Sequence, residues 1–346
     1  MSKLTDFSRA PRASNGSPLG VFGTAITFCL ATVAAVHMSR TGRAMVAAPF
    51  APKVAAEAAV LAPSATAAPD AFGQSGNVNF KFTLPGRQVE FPLTITSAAE
   101  SLNYAWVPVG DTTALGALRP LSADPLIAPI APGFYRLSLS QGKTRQLLPE
   151  PTLAVMVPFE DKVAGELNGY RIGTYLSERF GHESHDRPAG FLEVRPRDLT
   201  LQVSKHLQLA DFLTHDDQSN IWPKYIAMNP RLLDKLELIF ADLPNSVRPG
   251  AVDVHSGFRT PSHNAQVHRS ARDSRHQYGD AADLAIDVDG DGKITMKDEL
   301  LLMLSVEHVE DAHPDLVGGL GVYVSRRFPT PYLHIDARGK RSRWKG

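Results

Sequence analysis

Two groups of potential metal ligands follow one another between residues 274 and 295, in the segment SRHQYGDAADLAIDVDGDGKIT. His276 and Asp283 lie seven positions apart, so a turn between them, which Gly279 permits, would bring an imidazole and a carboxylate to one hard or borderline cation. The second group consists of alternating aspartates that precede a glycine: Asp287, Asp289 and Asp291. Because this pattern is rich in oxygen ligands, it suits calcium.

A third candidate ligand for the first group, His334, lies in the segment YLHIDARG near the end of the chain. If AADLAID and YLHID are strands, the alternation of side chains turns Asp283 away from the core. The same alternation places His334 on one face with Tyr332 and Asp336. His276, Asp283 and His334 would then leave a fourth position open for water, which is typical of a catalytic zinc site.

Residues 287–298, DVDGDGKITMKD, fit the twelve-residue calcium-loop template with one change. Template positions one, three, five, seven and twelve are taken by Asp287, Asp289, Asp291, Lys293 and Asp298. Position twelve is usually a bidentate glutamate, so the shorter Asp298 is expected to weaken or reshape the site. An acidic turn between a strand and a helix is the alternative. Three alternating aspartates favour calcium, which would rigidify the segment after Asp283.

Composition limits the classes of function. The 346-residue chain is longer than one average domain, and 43% apolar residues suffice for ordinary cores, which predicts two globular units plus non-globular sequence. Lys plus Arg and Asp plus Glu number 36 each, so the overall charge gives no support for nucleic-acid binding. The single cysteine, Cys29, lies in an apolar N-terminal run, so core burial or bound metal must replace disulfides in the rest of the chain.

Residues 1–37 have the features of an export signal. Basic residues precede an uncharged apolar run from Leu19 to Val36, which is close to the shortest length that spans a bilayer. This length favours an uncleaved membrane anchor, and a cleaved signal peptide is the alternative. Residues 38–76 are rich in Ala and Pro and predict a flexible linker. We therefore expect the functional part in the periplasm or cell envelope, either anchored to the inner membrane or released.

The remaining chain is expected to contain two folded parts. Residues 77–160 show short alternating stretches, including a hairpin about Pro85 and Gly86, and predict a small all-β domain. Residues 161–199 would connect this domain to a C-terminal domain at residues 200–346.

The C-terminal domain contains a helix with a clear start. Asn229 is a good N-cap, Pro230 suits the first helical position, and apolar residues recur at helical spacing as far as Leu243. The order helix, strand, loop, metal motif, helix, strand predicts an α+β fold, with a small antiparallel sheet and flanking helices.

Three blocks within roughly residues 200–346 carry a family resemblance: SGFRTPSHN, SRHQYGDAADLAID and GGLGVYVSRRFPTPYLHIDARGKRSRW. In this order they resemble the exported zinc peptidases of the D-Ala-D-Ala carboxypeptidase and murein endopeptidase superfamily. The resemblance implies that His276, Asp283 and His334 bind zinc and that Arg259 acts on a substrate carbonyl or carboxylate. It also implies cleavage of peptide bonds in peptidoglycan stem peptides or cross-links, with carboxypeptidase and endopeptidase activities both open.

The chain departs from the family pattern at the general base. Related enzymes place a glutamate three residues before the last ligand or a histidine two before it, whereas Pro331 and Tyr332 stand here. Asp336 is the nearest replacement, and it could equally be a carboxylate that orients the imidazole of His334. The missing base keeps a second function open, a non-catalytic peptidoglycan-binding module that retains the metal-binding fold.

Overall fold

The computed structural model describes residues 62–63, 72–91, 93–94, 102–111, 116–121, 126–180, 187–248, 250–324 and 330–346. The predicted membrane segment and most of the predicted linker lie outside these residues. Within them, no helix is long and apolar enough to cross a membrane. Residues Ala55–Gly346 form one compact unit.

The elements are numbered in chain order. Strands β1 to β10 are Ala62–Pro63, Phe80–Thr83, Gln88–Val89, Leu93–Thr94, Asn103–Pro108, Arg119–Pro120, Leu126–Ile127, Gly133–Gln141, Thr144–Leu147 and Thr152–Val155. Strands β11 to β20 are Val157–Pro158, Glu166–Leu167, Tyr170–Arg171, Gly190–Val194, Lys224–Ile226, Val252–Ser256, Ala281–Ile286, Gly319–Tyr323, Tyr332–Asp336 and Ser342–Lys345. Helices α1 to α4 are Leu176–Phe180, Pro230–Asp242, Pro261–Asn264 and Met296–Ala312. The 3₁₀ turns are Phe159–Asp161, Pro196–Asp198, Leu209–Phe212, Arg275–Tyr278 and Pro314–Leu316.

Six of the strands before residue 156 form a mixed sheet in the order β2-β10-β8-β5-β6, with β9 beside β8, while β1 pairs with β4 and β3 with β7. The predicted hairpin about Pro85 and Gly86 is wrong. The chain does turn there, with Gly86 at φ +67°, but β2 pairs in parallel with β10, and β3 pairs with β7. Phe80 of β2 is buried against Phe134 of β8, with ring centroids 5.5 Å apart. Burial of this ring in the core favours the distant partner strand over the local one.

The candidate metal ligands lie on a second sheet in the order β16-β17-β19-β18-β20. It is antiparallel except for β20, which pairs in parallel with β18, so the predicted antiparallel sheet is in fact mixed. The exception follows from the connection: residues 337–341 carry the chain from β19 across the end of β18 to its free edge.

Two helices cover one side of this sheet. Helix α2 begins as predicted, because Asn229 accepts a hydrogen bond from the amide of Arg231 at 3.0 Å and Pro230 follows it. Helix α4 begins directly after the acidic loop, as the calcium-loop pattern predicted. Both helices share one hydrophobic core with the sheet, to which they contribute Leu236 and Val306.

A buried ion pair joins the two helices to the sheet that carries the candidate metal ligands. Lys235 of α2 lies 2.7 Å from Glu310 of α4, and both side chains are inaccessible to solvent. Lys235 also donates to the carbonyl oxygen of Asp336 at the end of β19, at 2.7 Å. The protein is therefore an α+β protein with mixed sheets and few helices within the described ranges.

Candidate metal centre

The three predicted ligands meet at one point. His276 Nε2 lies 3.1 Å from Asp283 Oδ1 and 3.1 Å from His334 Nδ1, and the last two atoms are 2.9 Å apart. Asp283 on β17 stands directly opposite His334 on β19. His276 lies in the turn Arg275–Tyr278, which ends at Gly279 with φ +70°. A Cβ at Gly279 would collide with the carbonyl oxygen of Ala227, so this turn requires glycine.

The outer hydrogen bonds of the two histidines determine what their inner nitrogens can do. His276 Nδ1 lies 2.7 Å from the carbonyl oxygen of Gly257, which can only accept, so this nitrogen donates. His334 Nε2 lies 3.2 Å from Asp336 Oδ2 and donates to that carboxylate. In the neutral rings the proton is therefore on the outer nitrogen, and the inner nitrogens of both rings carry lone pairs.

Three acceptors thus converge: two imidazole lone pairs and one oxygen of Asp283. A tetrahedral metal with bonds of about 2.1 Å would hold such atoms about 3.4 Å apart, only slightly wider than the separations here. All three side chains are buried, so water does not separate them. His276, Asp283 and His334 can therefore hold a metal ion.

The pKa values of these groups show how the site balances charge without a cation. Burial lowers the pKa of His276 and outweighs the attraction of Asp283. For His334, hydrogen bonds to Asp283 and Asp336 outweigh burial and raise the pKa. Burial opposes ionisation of Asp283, but the two imidazoles hold its pKa well below the usual range. These directions favour an ionised Asp283 and a proton that His334 binds more tightly than a free imidazole would, so a cation at this centre would compete with that proton.

Asp336 is fully buried and surrounded by donors. Besides His334 Nε2, it accepts from the amide of Gly319 at 2.7 Å, from the amide of Arg338 at 3.1 Å and from Arg338 Nε at 2.9 Å. It contacts the ring nitrogen of His334 that faces away from Asp283. Of the two roles that the sequence leaves open for Asp336, this geometry favours orienting the ligand.

Arg259 lies at the edge of the centre. Its Nη2 donates to Asp283 Oδ2 at 2.6 Å, and its Nε donates to the Ser256 hydroxyl at 2.7 Å. Its side chain is only 15% exposed. The guanidinium therefore holds the oxygen of Asp283 that does not face the histidines.

Aromatic side chains form a wall beside the ligands, which the sequence reasoning did not identify. Tyr332 stacks on Tyr323 with centroids 4.7 Å apart, and His255 lies 5.2 Å from Tyr332. The Trp344 ring lies 5.1 Å from His334. Burial and the charge of Asp283 raise the pKa of Tyr332 to about 12, so its hydroxyl stays protonated. The sequence contained a signal for part of this wall, because strand alternation places Tyr323, Tyr332 and Trp344 on the same face of the sheet as His334.

The acidic loop brings three of the five predicted calcium ligands together. The carboxylates of Asp287, Asp289 and Asp291 form a second group that could hold a metal ion. Asp298 is not in this group: its Oδ1 accepts from the amide of Asp289 at 3.1 Å, and its Oδ2 accepts from the amide of Thr295 at 2.8 Å. Asp298 therefore caps α4 and braces the loop. Lys293 follows the group, and its amide donates to Asp291 Oδ1 at 2.8 Å.

No protein-family model, curated protein or solved structure matches this chain.

Proposed function

We propose that this protein is an exported, zinc-dependent peptidase that cleaves peptide bonds in peptidoglycan stem peptides or cross-links. One observation carries the proposal: the outer hydrogen bonds of His276 and His334 leave both inner nitrogens as acceptors, and these converge with Asp283 in a buried centre. Such a set lowers its energy by binding a cation.

The donor types favour zinc. Two imidazole nitrogens and one carboxylate oxygen match catalytic zinc sites, whereas calcium and magnesium prefer oxygen ligands throughout. When bound, the zinc ion supplies Lewis-acid chemistry, since it polarises a carbonyl and lowers the pKa of water.

The residues around the ligands have distinct parts in the proposed reaction. Arg259 is placed to stabilise negative charge on a substrate oxygen while it holds Asp283. Asp336 keeps the proton of His334 on Nε2 and the ring in position. Tyr332 offers a protonated hydroxyl at the edge of the centre. The peptidoglycan substrate rests on the resemblance of the blocks around these residues to murein peptidases, and the N-terminal apolar run supports export to the envelope.

A second function has its own supporting observation. Asp336, the nearest replacement for the missing base, has donors at both carboxylate oxygens and lies behind His334. A centre without a base fits a peptidoglycan-binding module that retains the metal fold, and the digestion experiment below separates the two functions.

Calcium is the second proposed cofactor, at the group of Asp287, Asp289 and Asp291. Support comes from the match to the loop template and from helix α4, which starts where the exiting helix should. Because Asp298 caps α4, the site lacks the bidentate carboxylate at position twelve, and we propose weak binding of the kind found in extracellular modules.

The test is digestion of purified sacculi with the full-length protein in detergent, followed by separation of the released muropeptides. New muropeptides that vanish with a chelator and return with zinc would support the peptidase. The variant His276→Ala should release none, whereas His308→Ala, which removes an exposed imidazole from α4, should behave as wild type. Bound zinc without any new muropeptide would reject the enzyme in favour of the binding module.

A further inference from the structure

A cavity of about 480 Å³ lies beside Arg338, the residue that pairs with Asp336. Its wall includes a residue within or next to each element that carries a candidate metal ligand. Arg275 belongs to the turn of His276, Asp280 directly precedes β17, and Arg338 directly follows β19 after Ala337. The cavity therefore touches the structural supports of the metal centre without containing a ligand atom.

The opposite wall comes from other parts of the chain. Arg187 and Gly190 lie at the start of β14, and Arg231 lies in the first turn of α2. Phe82 and Met156 add apolar surface from the N-terminal strands. A volume of this size lies within the range of pockets for small organic ligands.

The lining is basic. It carries four guanidinium groups, on Arg187, Arg231, Arg275 and Arg338; Arg275 pairs with the carboxylate of Asp280 in the lining, and Arg338 pairs with Asp336 beside it. Arginine stays charged in proteins, and its planar fork suits carboxylate and phosphate groups.

The four arginines are held in two different ways. Arg275 donates to both oxygens of Asp280, and Arg338 grips Asp336, so these two are fixed parts of the wall. Arg231 donates to the carbonyl oxygen of Asp315, a neutral acceptor. Arg187 lies over the ring of Phe159, 5.4 Å from its centroid. Arg231 is exposed, so its side chain can adjust to a ligand that enters the cavity, and Arg187 is an exposed part of the same wall.

We propose that this cavity binds a small organic anion through carboxylate or phosphate groups, and that its occupancy strengthens metal binding. The coupling runs through Arg338, because an anion on its cavity side would hold the guanidinium against Asp336, and Asp336 in turn orients His334. Thermodynamic linkage makes the effect reciprocal, so bound metal must tighten the anion by the same factor. This inference does not depend on the peptidase activity.

Isothermal titration calorimetry of the full-length protein in detergent tests the site, with citrate and inorganic phosphate as probes and glycerol as the neutral comparison. We expect one saturable site for at least one of the two anions and none for glycerol. Binding of citrate alone identifies a carboxylate site, and binding of phosphate alone a phosphate site. Failure of both anions to bind would overturn the proposal.

Paired variants locate the site. Arg187→Gln combined with Arg231→Gln should weaken the probe by about tenfold or more, because each lost charged hydrogen bond is worth at least one factor of ten. Arg171→Gln combined with Arg195→Gln removes two exposed arginines that pair with Asp217 and Glu193 outside the cavity, and should leave the affinity unchanged. Equal losses in both double variants would mean surface attraction only and would reject the cavity.

The coupling has a separate readout. Zinc affinity, measured by competition with a chromophoric chelator that does not bind the probe, should rise by about fivefold or more at saturating anion. The Arg187 and Arg231 double variant should lose this rise while it keeps the anion-free zinc affinity. An unchanged zinc affinity in the wild type would refute the coupling, even if the anion binds.

Discussion

Replacing Asp336 with asparagine tests how the metal centre is built. In the wild type, both carboxylate oxygens of Asp336 accept hydrogen bonds: one set comes from Gly319 and Arg338, the other from His334 and Arg338. Asparagine keeps only one acceptor oxygen, and its amide nitrogen must face a donor in either orientation. If the nitrogen faces His334, the ring must move its proton to Nδ1, the atom that faces Asp283.

The cost to metal binding follows from this change of tautomer. A proton on the inner nitrogen of His334 blocks one of the three ligand atoms until the metal displaces that proton. Loss of a carboxylate that orients a ligand histidine, as Asp336 does here, typically weakens metal binding by about 10-fold to 100-fold. That range corresponds to about 1.4 to 2.7 kcal/mol. We therefore expect Asp336→Asn to bind zinc 10-fold to 100-fold more weakly in a chelator competition, and to recover much of its activity once it is saturated with zinc.

Asp311→Asn is the matched control, since Asp311 also pairs with an arginine but is exposed. It should change neither zinc affinity nor turnover. The reasoning would be refuted if Asp336→Asn bound zinc as tightly as the wild type and lost its activity when fully loaded. That result would identify Asp336 as the general base.

Three further predictions concern other parts of the molecule. If the proposed peptidase role is right, Arg259→Lys should keep zinc but lower turnover by about 100-fold, because a point charge would replace the fork that we propose to contact the substrate oxygen; equal turnover at equal zinc content would reject this role. Adding calcium at 100 times its dissociation constant should stabilise the wild type by about 2.7 kcal/mol, and Asp289→Asn combined with Asp291→Asn should abolish the rise in Tm. Burial raises the pKa of Glu299 to about 8 from 4.5, so the folded protein keeps a proton that the unfolded chain releases between these values. Stability without calcium should therefore fall as pH rises through this window, by about 5 kcal/mol in total, and urea unfolding of Glu299→Gln should lose that slope.

The candidate metal ligands could be proposed from the sequence because local rules and the family resemblance point to the same side chains. Strand alternation relates Asp283 to the core-facing residues beside it, and the same rule places His334 on one face with Asp336. The start of α2 was equally local, since Asn229 and Pro230 specify it within two residues. Such rules need no knowledge of distant contacts.

Features that depend on contacts between distant segments could not be predicted in this way. The parallel pairing of β2 with β10 depends on where Phe80 is buried, and no residue near the Pro85 turn carries that information. The role of Asp336 depends on which nitrogen of His334 it meets, which is a matter of side-chain rotamers. The cavity arginines come from separate segments, so no spacing reveals them.

The structure gives Asp298 a role that the calcium-loop pattern does not include, and this role has a local cause in the sequence. Asp298 was placed at position twelve of a calcium loop, but Thr295 and Asp298 also form a capping box, in which each side chain bonds the backbone of the other. A Thr followed three residues later by an acidic side chain, directly before an apolar helix, predicts this box as well as a calcium ligand. The structure shows the carboxylate engaged in the first of these two uses.

The acceptor atoms of His276, Asp283 and His334 that face one another affect the stability of the fold as well as metal binding. A buried acceptor without a donor costs about 1 to 3 kcal/mol, and hydrogen bonds to Asp283 and Asp336 raise the pKa of His334, so a proton and a cation compete for this centre. Zinc affinity should therefore fall as pH drops. Two residues hold the end of β19 at Asp336. Lys235 of α2 donates to the carbonyl oxygen of Asp336, and Arg338, which lines the cavity, donates to its carboxylate. Because Asp336 holds the outer nitrogen of His334, changes in the helices or in the cavity can reach the candidate metal centre through this residue.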